Sequence, residues 1–421
     1  EAVTSSLAHH KNIANNSAVA CSALKNFCVM LHQSDTSSLN DLLSRSVVEV
    51  VNDLVVYREN EQNLKHATGA LQALCAMREG LALRFETDST VGVITGAMNR
   101  FPNSLDLQRH IVGILGSFFS VTTKIIDFMN DEVVTAILRF IQNEVDNDDG
   151  VIDYVDTAIN ILLITASQGF QGQTTLLRNN SLIDQIVSCM LKWPENLSIQ
   201  SASIDILASI ALDNLWRAEV CQRGGTSRVL SALDKLKRDP ALVCKAYAAL
   251  ANLTSGADPE ILRAPDTPAP AIMVRAMKAH PQNISVQVGA AHALWALSAR
   301  SDSFKDEIVN LGGAEAVAAA MERFIGSKQM QAKGSVIIWS IAVPKHLKLR
   351  VGRCAVEPVV NGLSAHLSSE RNCQDALGCL KCLSTLPANK ALLDNCGAVD
   401  LIYASMWLHN GNPTLCKAAL A

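Results

Sequence analysis

Residues 286–298 read V-Q-V-G-A-A-H-A-L-W-A-L-S. Five apolar residues of this stretch recur at helical i, i+3/i+4 and i+7 spacing: Val286, Ala290, Ala293, Leu294 and Leu297. This spacing predicts an α-helix with one buried stripe. The small Ala and Gly residues allow another helix to approach closely, and the two Leu residues supply apolar area that must be buried. The stretch therefore predicts a helix that packs against other helices.

The same pattern, A-x-x-A-L-x-x-L or a close variant, occurs nine times along the chain. Its first Leu, or the Ile in that place, is called the anchor: Leu24, Leu71, Leu115, Leu162, Leu207, Leu250, Leu294, Ile338 and Leu380. Subtracting each anchor number from the next gives intervals of 47, 44, 47, 45, 43, 44, 44 and 42 residues. A tenth, partial copy covers Cys416 to Leu420. A steady period in the forties predicts an all-α array of helical repeats.

Turn residues and prolines indicate the same frame. Residues that accept a left-handed backbone predict one tight turn in several of the periods: Asn179-Asn180, Gly224-Gly225, Gly312-Gly313, Gly352 and Gly397. Prolines mark the loop before the anchor helix, each 13 residues before its anchor: Pro102, Pro194 and Pro281. Each period is therefore predicted to contain a short helix, a tight turn, a medium helix, a loop and a long anchor helix.

Three segments interrupt this frame. Four prolines lie within residues 254–270, so the short first helix expected there is predicted to be distorted or replaced by a loop. Residues 344–350 read P-K-H-L-K-L-R and are predicted to place basic residues on another short first helix. Residues 146–150 read D-N-D-D-G. A calcium loop would need an oxygen ligand where Val145 stands, so a solvated acidic loop is expected instead.

Composition and charge narrow the class of protein. Of the 421 residues, 49% are hydrophobic and only 5% aromatic, which suits Ala- and Leu-rich helices packed on one another. The net charge of −4 gives no global attraction to nucleic acid, and no apolar run reaches the ~18 residues of a membrane span. Twelve Cys are scattered without a compact spacing pattern, which is typical of reduced thiols in an intracellular protein.

Three helices per unit, a Gly turn after the short first helix and this period resemble the armadillo repeat. Residues 389–399, N-K-A-L-L-D-N-C-G-A-V, are similar to the family phrase n-[rk]-x-x-[il]-[vl]-x-x-x-G-a, and residues 245–253 are similar to its third-helix phrase. The resemblance covers essentially the whole chain and implies a right-handed α-solenoid of nine to ten three-helix repeats. Residues 1–421 are then expected to be one solenoid, with a truncated last repeat, cut from a longer chain. The two-helix HEAT solenoid is the alternative for the irregular repeats.

The resemblance also implies that third helices line a concave groove that binds proteins or extended peptides. Importin-α-like receptors use Asn two residues after the anchor and Trp two residues before it. In this chain that Asn position holds Asn only at Asn26 and Asn252, and the Trp position never holds Trp. Basic-peptide import is therefore not expected, although Asn26 and Asn252 remain candidate groove residues.

Trp295 and Trp339 each follow an anchor by one residue and lie 44 residues apart. They are predicted to lie on the same face of neighbouring helices, either as an aromatic platform for a partner or as inter-repeat packing. His292, on the same helix as Trp295, is a further candidate, with a satisfied polar group as the alternative.

Basic residues and cysteines supply the remaining candidates. Lys345, Lys348, Arg350 and Arg353 form a candidate surface for an acidic partner or phosphate, with a solvated surface as the alternative. Cys379-x-x-Cys382 is the spacing of half a zinc site, but no paired second motif follows, so core packing is favoured. No phosphate-loop, dinucleotide, zinc-protease or serine-hydrolase motif is present. No catalytic residue, metal or cofactor is predicted.

Together these observations predict a non-catalytic scaffold or adaptor that binds partner proteins or extended peptides along the groove. The alternative is a regulator, as exchange factor or chaperone, of a small GTPase or a G-protein α subunit. No nucleic acid and no direct membrane insertion are expected, whereas self-association through the uncapped C-terminal end is. The expected location is intracellular, in the cytoplasm, with cytoskeletal or ciliary association as options.

Overall fold

A computed structural model describes residues 14–31, 40–77, 88–122, 124–147, 150–264, 266 and 268–420. Every regular element in these ranges is a helix, and the all-α prediction is confirmed. The chain forms two compact units, residues 1–192 and residues 193–421. None of the described helices combines the length and the apolar character that crossing a bilayer requires.

The described residues of the first unit form ten helices. Their bounds are α1 Ala14–Leu31, α2 Asn40–Val56, α3 Glu61–Met77, α4 Asp88–Arg100, α5 Leu105–Phe119, α6 Ile125–Phe128, α7 Asp131–Asp146, α8 Ile152–Ala166, α9 Gly169–Leu177 and α10 Leu182–Lys192. The anchor helices α1, α3, α5 and α8 pack side by side in chain order. The first unit is therefore a stack of repeats.

Fifteen helices lie in the part of the second unit that the structure describes. Their bounds are α11 Leu197–Ile210, α12 Asn214–Gln222, α13 Gly225–Lys235, α14 Pro240–Gly256, α15 Pro259–Leu262, α16 Ala269–Ala279, α17 Ile284–Ser298, α18 Asp302–Asn310, α19 Gly313–Arg323, α20 Lys328–Ala342, α21 Lys348–Ala365, α22 Glu370–Ser384, α23 Pro387–Asn395, α24 Ala398–Leu408 and α25 Pro413–Ala419. Here α11, α14, α17, α20, α22 and α25 pack side by side in chain order. The second unit repeats the same arrangement.

The nine anchors lie in the core of these stacks. Each is at most 4% exposed, from Leu24 at 4% to Leu294 and Ile338 at 0%. Burying one such side chain stabilises the fold by about 1.5–3 kcal/mol. The periodic apolar stripe of the sequence is thus the stripe by which each anchor helix packs on its neighbours.

Three of the predicted glycine turns have a left-handed backbone. Gly224, Gly312 and Gly397 have φ of +84°, +76° and +66°, and each precedes the second helix of its repeat. No described residue other than glycine has a positive φ, so the turn at Asn179-Asn180 forms without the left-handed conformation. Gly169, with φ +69°, also has the left-handed conformation, and the sequence analysis predicted no turn there.

The predicted turn at Gly352 is wrong. Gly352 lies inside α21, where the first and second helices of its repeat form one continuous helix of 18 residues. Its missing side chain serves a close approach instead, because a Cβ there would collide with the buried amide of Asn389. The basic residues of 344–350 therefore lie in a turn and in the start of this long helix, and not on a separate short helix.

The proline-rich segment 254–270 and the D-N-D-D-G segment are the two other interruptions of the repeat frame. Within residues 254–270 the first helix is reduced to the four residues of α15, as the prolines predict. The D-N-D-D-G segment lies between α7 and α8 and is described only in part, since residues 148 and 149 lie outside the described residues.

A buried glutamine recurs in several repeats and hydrogen-bonds to the end of the preceding helix. The Nε2 of Gln287 donates to the carbonyls of Met277 and His280 at 2.8 and 2.9 Å, which closes the end of α16. Equivalent Nε2 bonds to backbone carbonyls are made by Gln108, Gln200 and Gln331. Each lies seven residues before its anchor (294 minus 287, for example). The sequence analysis missed this position, although its fixed offset was visible.

Candidate partner-binding site

Three consecutive anchor helices of the second unit, α17, α20 and α22, line a cavity of about 570 Å³. We call it the third-helix cavity. Val288 and Trp295 come from α17, Lys328, Lys333 and Val336 from α20, and Arg371 and Asp375 from α22. One wall is therefore apolar and aromatic, whereas the opposite wall carries most of the charge.

Trp295 is exposed because of its place in the helical register. Its neighbours Leu294 and Leu297 are fully buried, so the residue after the anchor points away from the core. The indole is 39% exposed and stacks on the His292 ring, with centroids 5.8 Å apart and planes 12° from parallel. Two stacked rings thus present a flat surface beside the cavity.

Trp339 occupies the same register position on α20, but its surroundings differ. It is 42% exposed, and its ring lies over Gly378 of α22. A Cβ added at Gly378 would lie 2.8 Å from a carbon of this ring. Trp339 therefore contributes to packing between neighbouring repeats, and it lies next to the cavity without lining it.

Charged side chains in the cavity influence one another. Arg371 Nε lies 4.0 Å from Asp375 Oδ2, at the limit of an ion pair. Burial, and then the charge of Arg371, lower the pKa of Lys333. Burial raises the pKa of Asp375 against the opposing effects of Arg371 and Lys333. The pKa of His292 is lowered by burial and then by the charge of Lys333.

Hydrogen bonds of the Asn372 side chain hold the charged wall in place. The buried Asn372 donates through Nδ2 to the carbonyl of Lys328 at 3.0 Å, and its Oδ1 accepts from Ser369 Oγ at 3.0 Å. The first of these bonds ties the start of α22 to the start of α20. The cavity is therefore bounded by side chains on rigid helices, and no loop is needed to form it.

No protein-family model matches the chain, and no curated protein matches it either. One similar solved structure comes from work on a phosphorylation switch that controls the interaction between cadherin and beta-catenin, with a TM-score of 0.75 and 13% identity over 99% of this chain and 82% of that chain. An engineered protein gives a TM-score of 0.67 and 18% identity over 100% and 97% of the two chains. The chain has the armadillo-repeat fold. At these identities the likeness establishes the fold alone.

The armadillo frame shows which predicted groove residues come together. Trp295 lines the third-helix cavity, His292 stacks on Trp295 without lining it, and Trp339 packs over Gly378. Asn252 is half-buried on α14 and does not line the cavity, and Asn26 is exposed on α1 of the first unit. The two asparagines that match the importin-like position are therefore not part of this site.

The sequence analysis missed the charged residues of the cavity. Lys333 and Asp375 each lie five residues before their anchors (338 minus 333 and 380 minus 375). The sequence predictions used only the positions two before, one after and two after the anchor. The cations Lys333 and Arg371, on two consecutive third helices, lie at other positions.

The predicted basic surface is largely used in contacts within the chain. Lys348 Nζ donates to Thr385 Oγ1 at 2.7 Å, and Arg350 Nη1 donates to Asn310 Oδ1 at 3.2 Å, with Arg350 Nε 3.4 Å from Glu315. Lys345 and Arg353 are exposed, and neither lines the third-helix cavity. This set therefore joins adjacent repeats more than it forms a separate site.

The two cysteines of the Cys379-x-x-Cys382 motif are packed in the protein. Cys379 is fully buried, which raises the pKa of its thiol well above 9.0, and Cys382 Sγ donates to the carbonyl of Ala342 at 3.7 Å. Both thiols thus pack within the repeats.

Trp407 and Leu420, near the end of the chain, are 80% and 75% exposed. Self-association through this end stays a prediction.

Proposed function

We propose that this chain is a non-catalytic protein-binding scaffold whose partner contacts α17, α20 and α22. The observation that carries the proposal is the third-helix cavity, with the exposed indole of Trp295 on its wall. Tryptophan is one of the side chains enriched among the few residues that supply most of the binding energy of a protein interface. Armadillo-type solenoids present stacked helices as extended binding surfaces.

The rigidity of the cavity supports binding. Its wall residues stand on three packed helices, and Asn372 links two of these helices by a direct hydrogen bond. A surface that is already ordered loses little conformational entropy when a partner binds. The partner then has to order mainly itself, which favours recognition of a short extended segment.

Catalysis is the competing explanation for the shifted pKa values of Lys333 and His292. Perturbed groups cluster in active sites, but ion-pair networks produce the same shifts. Here the causes are burial and the like charges of Arg371 and Lys333, and the one carboxylate of the group lies beside Arg371. Charge crowding within a binding surface accounts for these shifts, so a scaffold is favoured over an enzyme.

The test separates the two tryptophans. Tagged chains carrying Trp295→Ala or Trp339→Ala are used to capture partners from a cell extract, and bound proteins are quantified by mass spectrometry. We expect Trp295→Ala to lose a partner that the unchanged chain retains, with its melting temperature nearly unchanged. Trp339→Ala is expected to lower the melting temperature more, because its ring packs on Gly378.

Trp407→Ala is the control, since it removes an equally large side chain of the same unit that lies outside the cavity and is more exposed than Trp295, 80% against 39%. A partner lost from both the Trp295→Ala and the Trp407→Ala chains would indicate non-specific binding to exposed aromatic side chains. Identical partners for the unchanged chain and the Trp295→Ala chain would refute the proposed site.

A further inference from the structure

The third-helix cavity carries a local excess of positive charge. Lys328, Lys333 and Arg371 line it with one carboxylate, Asp375, so its formal charge is 3 minus 1, or +2. The chain as a whole has a net charge of −4. The charge of the cavity is therefore opposite in sign to the net charge of the molecule.

Lys333 is a poorly compensated cation of the cavity. It is half-buried, and within the described residues it makes no ion pair. The nearby carboxylate of Asp375 lies beside Arg371, and although Asp375 raises the pKa of Lys333, burial and the charge of Arg371 lower it more. A cation held in a partly dry place with an incomplete counter-charge gains from a carboxylate that enters.

Another lysine of the same stack shows the contrast. Lys245, on α14, lies 2.6 Å from Asp205 and donates to Ser201 at 2.7 Å, so its charge is already neutralised within the chain. Within the cavity, the positive charge lies on α20 and α22. It faces Val288 and Trp295, which supply apolar surface on α17.

We infer that the third-helix cavity binds an extended acidic segment of another protein, in which a carboxylate contacts Lys333 and Arg371 and a neighbouring apolar side chain packs on Trp295. The inference rests on the proposed function and specifies the chemistry of the partner. A carboxylate next to an apolar residue matches both walls at once.

Phosphodiester chains fit this cavity less well. Nucleic acids are bound through stripes of cations that follow many phosphates. Here only three cations line the cavity, they form no long stripe, and the opposite wall is apolar. An acidic peptide can place a single charge and a single apolar group, which is what the cavity offers.

The test selects ligands from a library of displayed random 16-residue peptides, using the whole chain as bait. We expect the enriched peptides to contain Asp or Glu next to an aromatic or aliphatic residue. The bait with Lys333→Glu and Arg371→Glu is expected to lose these peptides, with affinities about tenfold to a hundredfold weaker by fluorescence polarisation.

Lys345→Glu with Arg353→Glu is the matched control, because it changes the net charge equally at exposed positions outside the cavity. Its peptides and affinities should equal those of the unchanged chain. Circular dichroism and melting curves establish that both charge-reversed chains are folded. A single-stranded 20-nucleotide DNA and phosphatidylserine vesicles are tested alongside the peptides.

The outcomes separate this inference from the proposed function. Enriched peptides that depend on Trp295 but are neutral or basic would overturn the acidic assignment and leave the scaffold proposal standing. Peptides unaffected by the Lys333 and Arg371 reversals, or DNA or vesicles bound more tightly through these residues, would also overturn it. A bait that enriches nothing above an empty support would overturn both.

Discussion

Replacing Glu144 by Gln should destabilise the region around the D-N-D-D-G segment. The Glu144 side chain is completely buried at the end of α7. Its Oε1 accepts from Arg109 Nε at 2.7 Å, and its Oε2 accepts from Arg109 Nη2 and from the Val151 backbone N–H, both at 3.0 Å. One carboxylate therefore joins α5, the end of α7 and the residue before α8.

The expected loss of stability follows from the contacts that Gln cannot make. Gln keeps the volume and one acceptor but removes the charge, so Arg109, whose side chain is only 18% exposed, loses its counter-ion. The hydrogen bonds that Arg109 donates to Glu144 are also the main reason that the pKa of Arg109 is raised. Removing one partner of a buried ion pair costs about 3–5 kcal/mol. We expect about 3 kcal/mol, because Gln retains part of the hydrogen bonding.

Hydrogen exchange is the suitable assay, since repeat arrays do not always unfold in one step. A local loss of about 3 kcal/mol lowers protection of the α5 and α8 amides roughly a hundredfold. The control is the double variant Arg109→Met with Glu144→Leu, which replaces the pair with apolar side chains and should restore most of the protection. A single variant with less than a tenfold loss, or a double variant no better than the single one, would refute the reasoning.

Three further predictions concern packing, hydrogen bonding and pH. Gly352→Ala should cost about 1–3 kcal/mol and lower the melting temperature, because the colliding Asn389 amide is buried and bonded to two carbonyls; Gly326→Ala, where a Cβ would meet nothing, is the control. Gln287→Ala should cost about 1–3 kcal/mol in urea unfolding, because two buried carbonyls lose their donor. Burial, and then the charge of Lys25, lower the pKa of His110 from 6.5 to about 4. The folded chain then binds fewer protons than the unfolded chain between these values, so this contribution to stability is present above pH 6.5 and is lost as the pH falls toward 4. Replacing His110 by Gln should flatten the pH dependence of the melting temperature in that window, and an unchanged slope would contradict the assignment.

The repeat frame was predictable from sequence because it depends on local periodicity. The anchor stripe recurs within single helices, and the turns at Gly224, Gly312 and Gly397 require only that a glycine stand at a fixed offset. Gly352 shows where this reasoning stops. Glycine serves both left-handed turns and close approaches, and the choice at Gly352 depends on Asn389, 37 residues later (389 minus 352).

Acidic residues show the same limit. The run D-N-D-D-G is the conspicuous acidic feature of the sequence and is predicted to be a solvated loop, yet the carboxylate that organises the neighbouring helices is Glu144, which precedes the run. Sequence patterns report clusters of like residues, whereas a buried ion pair needs one partner from each of two distant segments. Arg109 and Glu144 are 35 residues apart and carry no common spacing that would have indicated the pair.

The two tryptophans show how one register position acquires two roles. Trp295 and Trp339 both follow an anchor, so periodicity predicts the same exposure for both, and they are 39% and 42% exposed. What differs is the residue two before the anchor on the next helix, which is Val336 after Trp295 and Gly378 after Trp339. Glycine lets the indole lie on the helix, whereas Val336 has a branched side chain that lines the cavity together with Trp295. Since the cavity wall depends on this pair of positions taken together, a reading of each repeat by itself could identify the candidate residues but not the site.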